Sequence, residues 1–421
     1  MSSARATTTT EQPPAKRRSS RLSLPVVLLG VAGALVLFSL VRVISGANDL
    51  TSSGTIGAAL SLAVPIGMAG LGGLWAERAG VVNIGLEGMM ILGTWGAGWA
   101  GYQYGPWTGV LVGVGMGAAG GLLHAIATVT FGVDHIVSGV AINILGLGVT
   151  QFLSVTAFEG VRGGGESQSP PIANIREVSL PGIGEPLLEL ERKHLFLLSD
   201  LAGILRGVTV GVSLLTVVAI LLLIGSFYVL WRTPFGLRLR ACGESPVAAE
   251  SLGVNVYLMK YIAVIASGGF AGIGGAFLAI VAGNGYREGQ TAGRGFIGLA
   301  AMIFGNWRPG GLAMGAGLFG YTDALQLRSG VESVHALLLL VGVALLLVAV
   351  WLASKQKLVS SAICAVLGAA FLVWYVRTDE VPGDFTTMTP YLATLLVLAL
   401  ASQRLRMPAA DGLPYRRGQG G

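Results

Sequence analysis

Runs of apolar residues, separated by short polar breaks, fill most of this chain. A helix that crosses a bilayer needs about 20 mainly apolar residues. Runs of that kind occupy 25–44, 55–74, 81–102, 107–131 and 135–157. A polar segment, 158–205, interrupts the pattern, and further runs follow at 207–231, 258–283, 291–306, 311–328, 335–353, 358–376 and 387–403. The pattern predicts an all-α polytopic membrane protein with about twelve spans. The run 291–306 is short and interrupted by glycine. It predicts a partial span, tolerated where broken backbone faces protein or a cavity. The run 25–44 is too long for the apolar region of a signal peptide and lacks a small-residue cleavage site, so it predicts a first transmembrane helix.

The polar remainder sets the organisation. Residues 1–24 are rich in Thr and Ser and carry Lys16, Arg17, Arg18 and Arg21, which reads as a disordered basic tail. The transmembrane domain covers 25–403, with an external loop at 158–205, a cytoplasmic loop at 232–257 and a second tail at 404–421. Placing the N-terminus inside puts 17 of the 27 Lys and Arg residues on the inner side, Lys260 included. This is the bias expected of cytoplasmic loops. An even number of spans then brings both termini to the cytoplasm.

Composition agrees with the pattern. Hydrophobic residues make up 53% and charged residues 11%, against about 25% charged in soluble domains. Inner-loop Lys and Arg account for the net charge of +6, so no nucleic acid is implied. Gly109, Gly113, Gly117 and Gly121 recur every four residues, and Gly268, Gly269, Gly272, Gly274 and Gly275 form a second cluster. Such faces let helices approach closely. Cys242 and Cys364 lie far apart, which argues against a disulfide framework.

Polar residues inside the spans are the candidates for function. In LWAERAGVVNIGLEGMM, Trp75 to Gly80 reads as an inner turn that keeps Glu77 and Arg78 at the membrane surface. Asn83 and Glu87 are four apart, expected on one face of the next helix. Asn143 lies mid-span, and Arg294 and Asp323 lie in later runs. Ionisable and amide groups at such positions usually face the bundle interior or a cavity. Asn83, Glu87 and Asn143 are therefore candidates for the substrate path. The competing structural reading is that Glu87 only hydrogen-bonds a neighbouring helix. His124 and His135 are expected at the interface, near the inner ends of their spans.

The loop WRTPFGLRLRACGESPVAAESLGVNV is longer than a tight turn. Ser245 reads as N-cap, Pro246 as the first helical residue and Gly253 as the stop of a short helix. A helix presented outside the bilayer suits docking to a partner. No phosphate-binding loop, H-E-x-x-H, G-x-S-x-G or Cys/His cluster occurs. An enzyme is disfavoured. A passive channel, an ion-coupled carrier or one subunit of a driven machine remain, and the docking loop favours the last.

The stretches GLWAERAGVVNIGLEGMM, DHIVSGVAINILGLG, RTPFGLRLRACGESPVAAESLGVNV, GRGFIGLAAMIFGNWRPGG and FGYTDALQLR resemble ABC-transporter permeases of the branched-chain amino acid/ribose type, closest to the nucleoside and simple-sugar uptake branch. The resemblance covers roughly 54–330 and resumes over 390–418. It implies a type II ABC importer-like helical bundle of about ten core helices. It also implies that 238–254 docks on an ABC ATP-binding subunit, with Gly243, Glu244, Pro246, Ala248, Ala249 and Gly253 matching the family's loop. ATP and Mg would be bound by that partner, leaving no cofactor in this chain. A second related permease and an extracytoplasmic substrate-binding lipoprotein would complete the system in a bacterial cytoplasmic membrane. The chain departs from the pattern at 335–376, where an extra helix pair is inserted. The alternative is an ion-coupled secondary transporter with Glu87 or Asp323 as its proton site.

Overall fold

The computed structural model describes residues 24–328, 330–382 and 405–418. The basic tail 1–24 (apart from Leu24) and the run 387–403 lie outside the described residues. The regular structure of the described residues is helical apart from one two-stranded sheet, β1 (Glu177–Val178) paired antiparallel with β2 (Val212–Ser213).

Fifteen α-helices are described. Helix α1 (Leu24–Ser45) leads to α2 (Ser53–Arg78), α3 (Leu86–Tyr104), α4 (Pro106–Ala125) and α5 (His135–Phe158). The segment 158–205 holds the short α6 (Gly184–Arg192) and the start of α7 (Leu198–Thr209). Then come α8 (Leu214–Arg232), α9 (Pro234–Glu244), α10 (Pro246–Ser251), α11 (Val256–Phe277), α12 (Arg294–Phe304), α13 (Pro309–Arg328), α14 (Gly330–Ser354) and α15 (Leu358–Arg377). Single π-helical turns extend α4 over Ile126–Thr130 and α11 over Leu278–Ala282.

Seven described helical stretches are long and apolar enough to cross a membrane: Asn48–Arg78, Pro106–Thr130, His135–Phe158, Leu214–Arg232, Val256–Ala282, Glu332–Ser354 and Leu358–Arg377. Two of the other expected spans, α3 and α13, have 19 and 20 residues. Glycines and polar side chains dilute their apolarity. The run 207–231 begins its helix only at Leu214, because 207–213 closes α7 and forms β2.

The glycine faces do what their spacing predicts. A side chain at Gly117 would stand 2.3 Å from Gly268 O, and one at Gly121 would stand 2.5 Å from Val264 O. Helices α4 and α11 therefore touch backbone to backbone, and α3 joins them where Gly93 meets Gly272 and Gly113. Helices α2, α3, α4, α11, α12 and α13 make the tight centre. Helices α14 and α15 pack mainly on each other, and α15 is almost wholly exposed. Helix α1 is fixed by a buried ion pair, with Arg42 Nε 2.7 Å from Asp200 Oδ1 on α7.

Two stretches of irregular backbone lie inside this centre. One, 79–85, joins α2 to α3. The other, 283–293, joins α11 to α12. Helix α12 has 11 residues, about 16 Å at 1.5 Å per residue, roughly half the hydrocarbon thickness. The run 291–306 is thus a half-helix with a broken approach, as expected of a partial span.

Candidate functional site

Gly70 packs on Gly298, and Glu77 accepts the Trp307 indole N–H at 2.5 Å. Helices α2 and α12 therefore run side by side in the same direction, and α12 begins midway along α2. Its first turn has unpaired N–H groups that need acceptors. Glu87 supplies them: Oε1 accepts from Gly293 N at 2.9 Å and Oε2 from Gly295 N at 2.7 Å. Gly293 takes a left-handed φ of +77°, which glycine adopts without strain. At Gly295 a Cβ would lie 2.6 Å from the Glu87 backbone, so only glycine allows the carboxylate this close. Glu87 also sits in the first turn of α3. A buried carboxylate thus lies between two helix N-termini, whose partial positive charges favour an anion.

Asn143 completes the junction from α5. Its Oδ1 accepts from Gly88 N at 2.8 Å, and its Nδ2 donates to Ile84 O at 3.1 Å. The N-cap of α3 is Gly85, which has no side chain to offer. Asn143 caps the helix from a neighbour instead.

The expectation that Asn83 and Glu87 share a helix face is corrected. Asn83 lies before the helix begins. Its Oδ1 accepts from Gly85 N at 3.0 Å, a local turn that competes with helix. Its Nδ2 donates to Ser267 Oγ at 2.8 Å. His124, at the end of α4, and His135, at the start of α5, are both buried within the protein. His124 Nε2 donates to Val82 O at 3.0 Å and its Nδ1 accepts from Ser138 Oγ at 2.8 Å. His135 Nδ1 accepts from Val82 N at 3.2 Å. Lys260 Nζ reaches Gly80 O at 3.3 Å. Side chains from α4, α5 and α11 thereby satisfy backbone groups of an irregular segment inside the bundle.

The 283–293 segment is held differently. Residues 167–172 of the polar segment pair with it through Ser169 N to Tyr286 O at 3.0 Å, Ile172 N to Asn284 O at 2.9 Å and Glu288 N to Ser167 O at 2.8 Å. Gln151 on α5 hydrogen-bonds Glu288 at 2.5 Å. Arg294 and Asp323 approach to 3.6 Å and tie α12 to α13.

The second centre is the loop after α8. Pro246 opens α10 and Gly253, at φ +79°, ends it. Ser245 occupies the N-cap position, but its side chain makes no capping bond. Helix α9, which precedes it, carries no apolar-run signal in the sequence. Ala249 is buried against Cys242 and Val256, while Ala248, Val247 and Leu252 are exposed. Burial pushes the Cys242 thiol up to about 11, which leaves it unreactive. Gly243 lies on the end of α2, where a Cβ would stand 2.3 Å from Arg78 O. Helix α2 runs on to Arg78, through most of the residues expected to turn. Glu77 and Arg78 do not pair with each other. Arg78 donates to Trp307 O at 2.7 Å and lies 3.8 Å from Glu244. The loop thus rests on Arg78 and Gly80, one irregular segment away from Glu87.

Among the described residues no group of His, Cys, Asp and Glu could hold a metal ion. Sequence reasoning missed Trp307, Ser267 and Lys260. Nothing in the local pattern marks them, since each acts on backbone distant in sequence.

This arrangement of broken helices accompanies a clear match to known proteins. The family described as branched-chain amino acid transport system / permease component matches residues 55–350. The chain belongs to this family. It is 33% identical to the guanosine ABC transporter permease protein NupQ of Bacillus subtilis, over 86% of this chain and 96% of that protein. It is 32% identical to the nucleoside ABC transporter permease protein NupC of Lactococcus lactis, over 85% and 94%. It is 35% identical to the putative glucose ABC transporter permease protein TsgC13 of Haloferax volcanii, over 66% and 78%. No solved structure matches. As a family member this chain is a multi-pass ABC importer permease subunit. It is not itself an enzyme and carries no cofactor; ATP hydrolysis belongs to a separate ATP-binding subunit, and a substrate-binding protein accompanies the system.

Proposed function

We propose that this permease imports nucleosides across a bacterial cytoplasmic membrane by alternating access, with both termini cytoplasmic. The observation that carries the reading is similarity over nearly the full length of two permeases named for guanosine and for nucleosides. The bundle would be of type II importer-like form, with α14 and α15 an added pair beside the core. A second related permease and a lipoprotein would complete the complex. Gly243, Glu244, Pro246, Ala248, Ala249 and Gly253 would form the surface that meets the ATP-binding subunit. The exposed Val247 and Leu252 add apolar contact there.

In this reading Asn83, Glu87 and Asn143 hold the walls of the path by fixing the starts of α3 and α12. Polar groups beside them, Gln151 and Glu288, are exposed and offer donors and acceptors to a neutral, hydrogen-bonding solute. The similarity to a glucose permease keeps sugar as the competing cargo. Uptake of labelled guanosine and labelled glucose by cells carrying the complete system separates the two. Guanosine uptake that excess unlabelled nucleoside abolishes, and excess glucose leaves intact, supports the proposal. The reverse pattern rejects it.

A further inference from the structure

Residues 405–418 lie across the coupling loop and join it to the membrane helices. On the loop, Ala410 donates its N–H to Gly243 O at 2.8 Å and Ala409 to Glu244 Oε2 at 3.4 Å. Arg417 lies 3.4 Å from Glu250 on α10, and the Tyr415 hydroxyl bonds the same carboxylate. On the bundle, Arg406 donates its N–H to Asn306 Oδ1 at 2.7 Å. The Tyr415 ring packs on Tyr257 and beneath the Lys260 ammonium, both of α11. One short segment thus touches α2, α9, α10, α11 and the turn between α12 and α13.

Its centre is a pair of buried acids. Asp411 is 7% exposed and its neighbour Glu77, on α2, is 4% exposed. Glu77 has the Trp307 indole N–H on Oε2. The Asp411 carboxyl meets the Glu77 carboxyl side chain to side chain and lies by the Gly412 backbone N–H. Two buried carboxylates in contact do not readily both ionise. A proton held between them lets one carboxyl donate to the other. Arg78 from α2 and Lys260 from α11 face the pair and favour its charged form, and Glu244 on α9 lies nearby. Burial outweighs them and pushes Asp411 up to about 7.

We propose that residues 405–418 are a strap that transmits movement of the coupling loop to the membrane helices, gripped by one proton shared between Glu77 and Asp411. The transmission rests on the coupling role proposed above; the grip is a property of this chain alone. The sign follows from linkage. Free of the bundle, Asp411 titrates near ~3.9; docked, it titrates near 7. Docking takes up a proton between these values. The grip weakens by up to about tenfold per pH unit as pH rises through that interval, and is constant above it.

Amide hydrogen exchange of the purified full chain in detergent reads the opening of the strap directly. After correction for intrinsic exchange, protection of Ala410 falls between pH 5.5 and 7 by up to about tenfold per unit and levels off above. Asp411→Asn, whose amide does not titrate, makes protection flat across the range. A flat wild-type profile, or the same slope in Asp411→Asn, overturns the shared proton. In the complete transporter, Ala410→Pro removes the N–H given to Gly243 and fixes the local backbone φ. It lowers solute transported per ATP hydrolysed by at least about threefold while hydrolysis continues. An unchanged ratio overturns the strap. Absence of any transport in the unaltered system would instead count against the permease assignment and leave the exchange result standing.

Discussion

Glu87 shows how a buried carboxylate in a membrane protein can be satisfied by backbone alone. Both oxygens are taken by backbone N–H groups of the α12 start. Glu87→Gln keeps one acceptor and turns an amide donor toward the other N–H. The expected cost is about 1–3 kcal/mol, read as a lower thermal midpoint in detergent. Uptake persists at a reduced rate and stays insensitive to proton ionophores. Complete loss of uptake with unchanged stability would instead mark Glu87 as a proton site. Gly243 is equally exacting. Gly243→Val pushes a side chain onto Arg78 O, an overpacking cost of about 1–3 kcal/mol, and the expected result is ATP hydrolysis no longer stimulated by substrate. At this scale sequence showed which residues were expensive to bury but not what they bonded. The partners of Glu87 lie more than 200 positions away. Asn83 was misplaced because its own side chain ends the helix pattern through a local bond to Gly85.

Among elements, apolar run length located α1, α2, α4, α5, α11, α13, α14 and α15 to within a few residues, because a bilayer fixes helix length. It located α12 as partial because glycine interrupts the run. It missed α6, α7 and α9, whose mixed polar sequences carry no span signal. It also gave no sign that residues 167–172 return to pair with 284–288. The hold of α1 on α7 is a test at this scale. Asp200→Ala leaves Arg42 charged, buried and unpaired, and is expected to cost about 3–5 kcal/mol. The double replacement Arg42→Met with Asp200→Leu is expected to cost less, since apolar side chains of similar volume tolerate that site. Thermal unfolding of the three chains decides between a pair that anchors the helix and one that is dispensable.

At the level of the whole molecule, the loop 232–257, the α2 end, the 79–85 segment and the two helix starts at Glu87 form one continuous contact path to mid-bundle, and under the proposed function the loop is the partner-facing end. Motion of the loop therefore has a rigid route to the place where α3 and α12 begin. The test of this account is ATP hydrolysis by the complete transporter in proteoliposomes, with and without nucleoside-loaded binding protein. Hydrolysis is expected to rise with nucleoside, and nucleoside uptake to require ATP and ignore proton ionophores. Uptake that proceeds without the ATP-binding subunit and collapses with the proton gradient would contradict it.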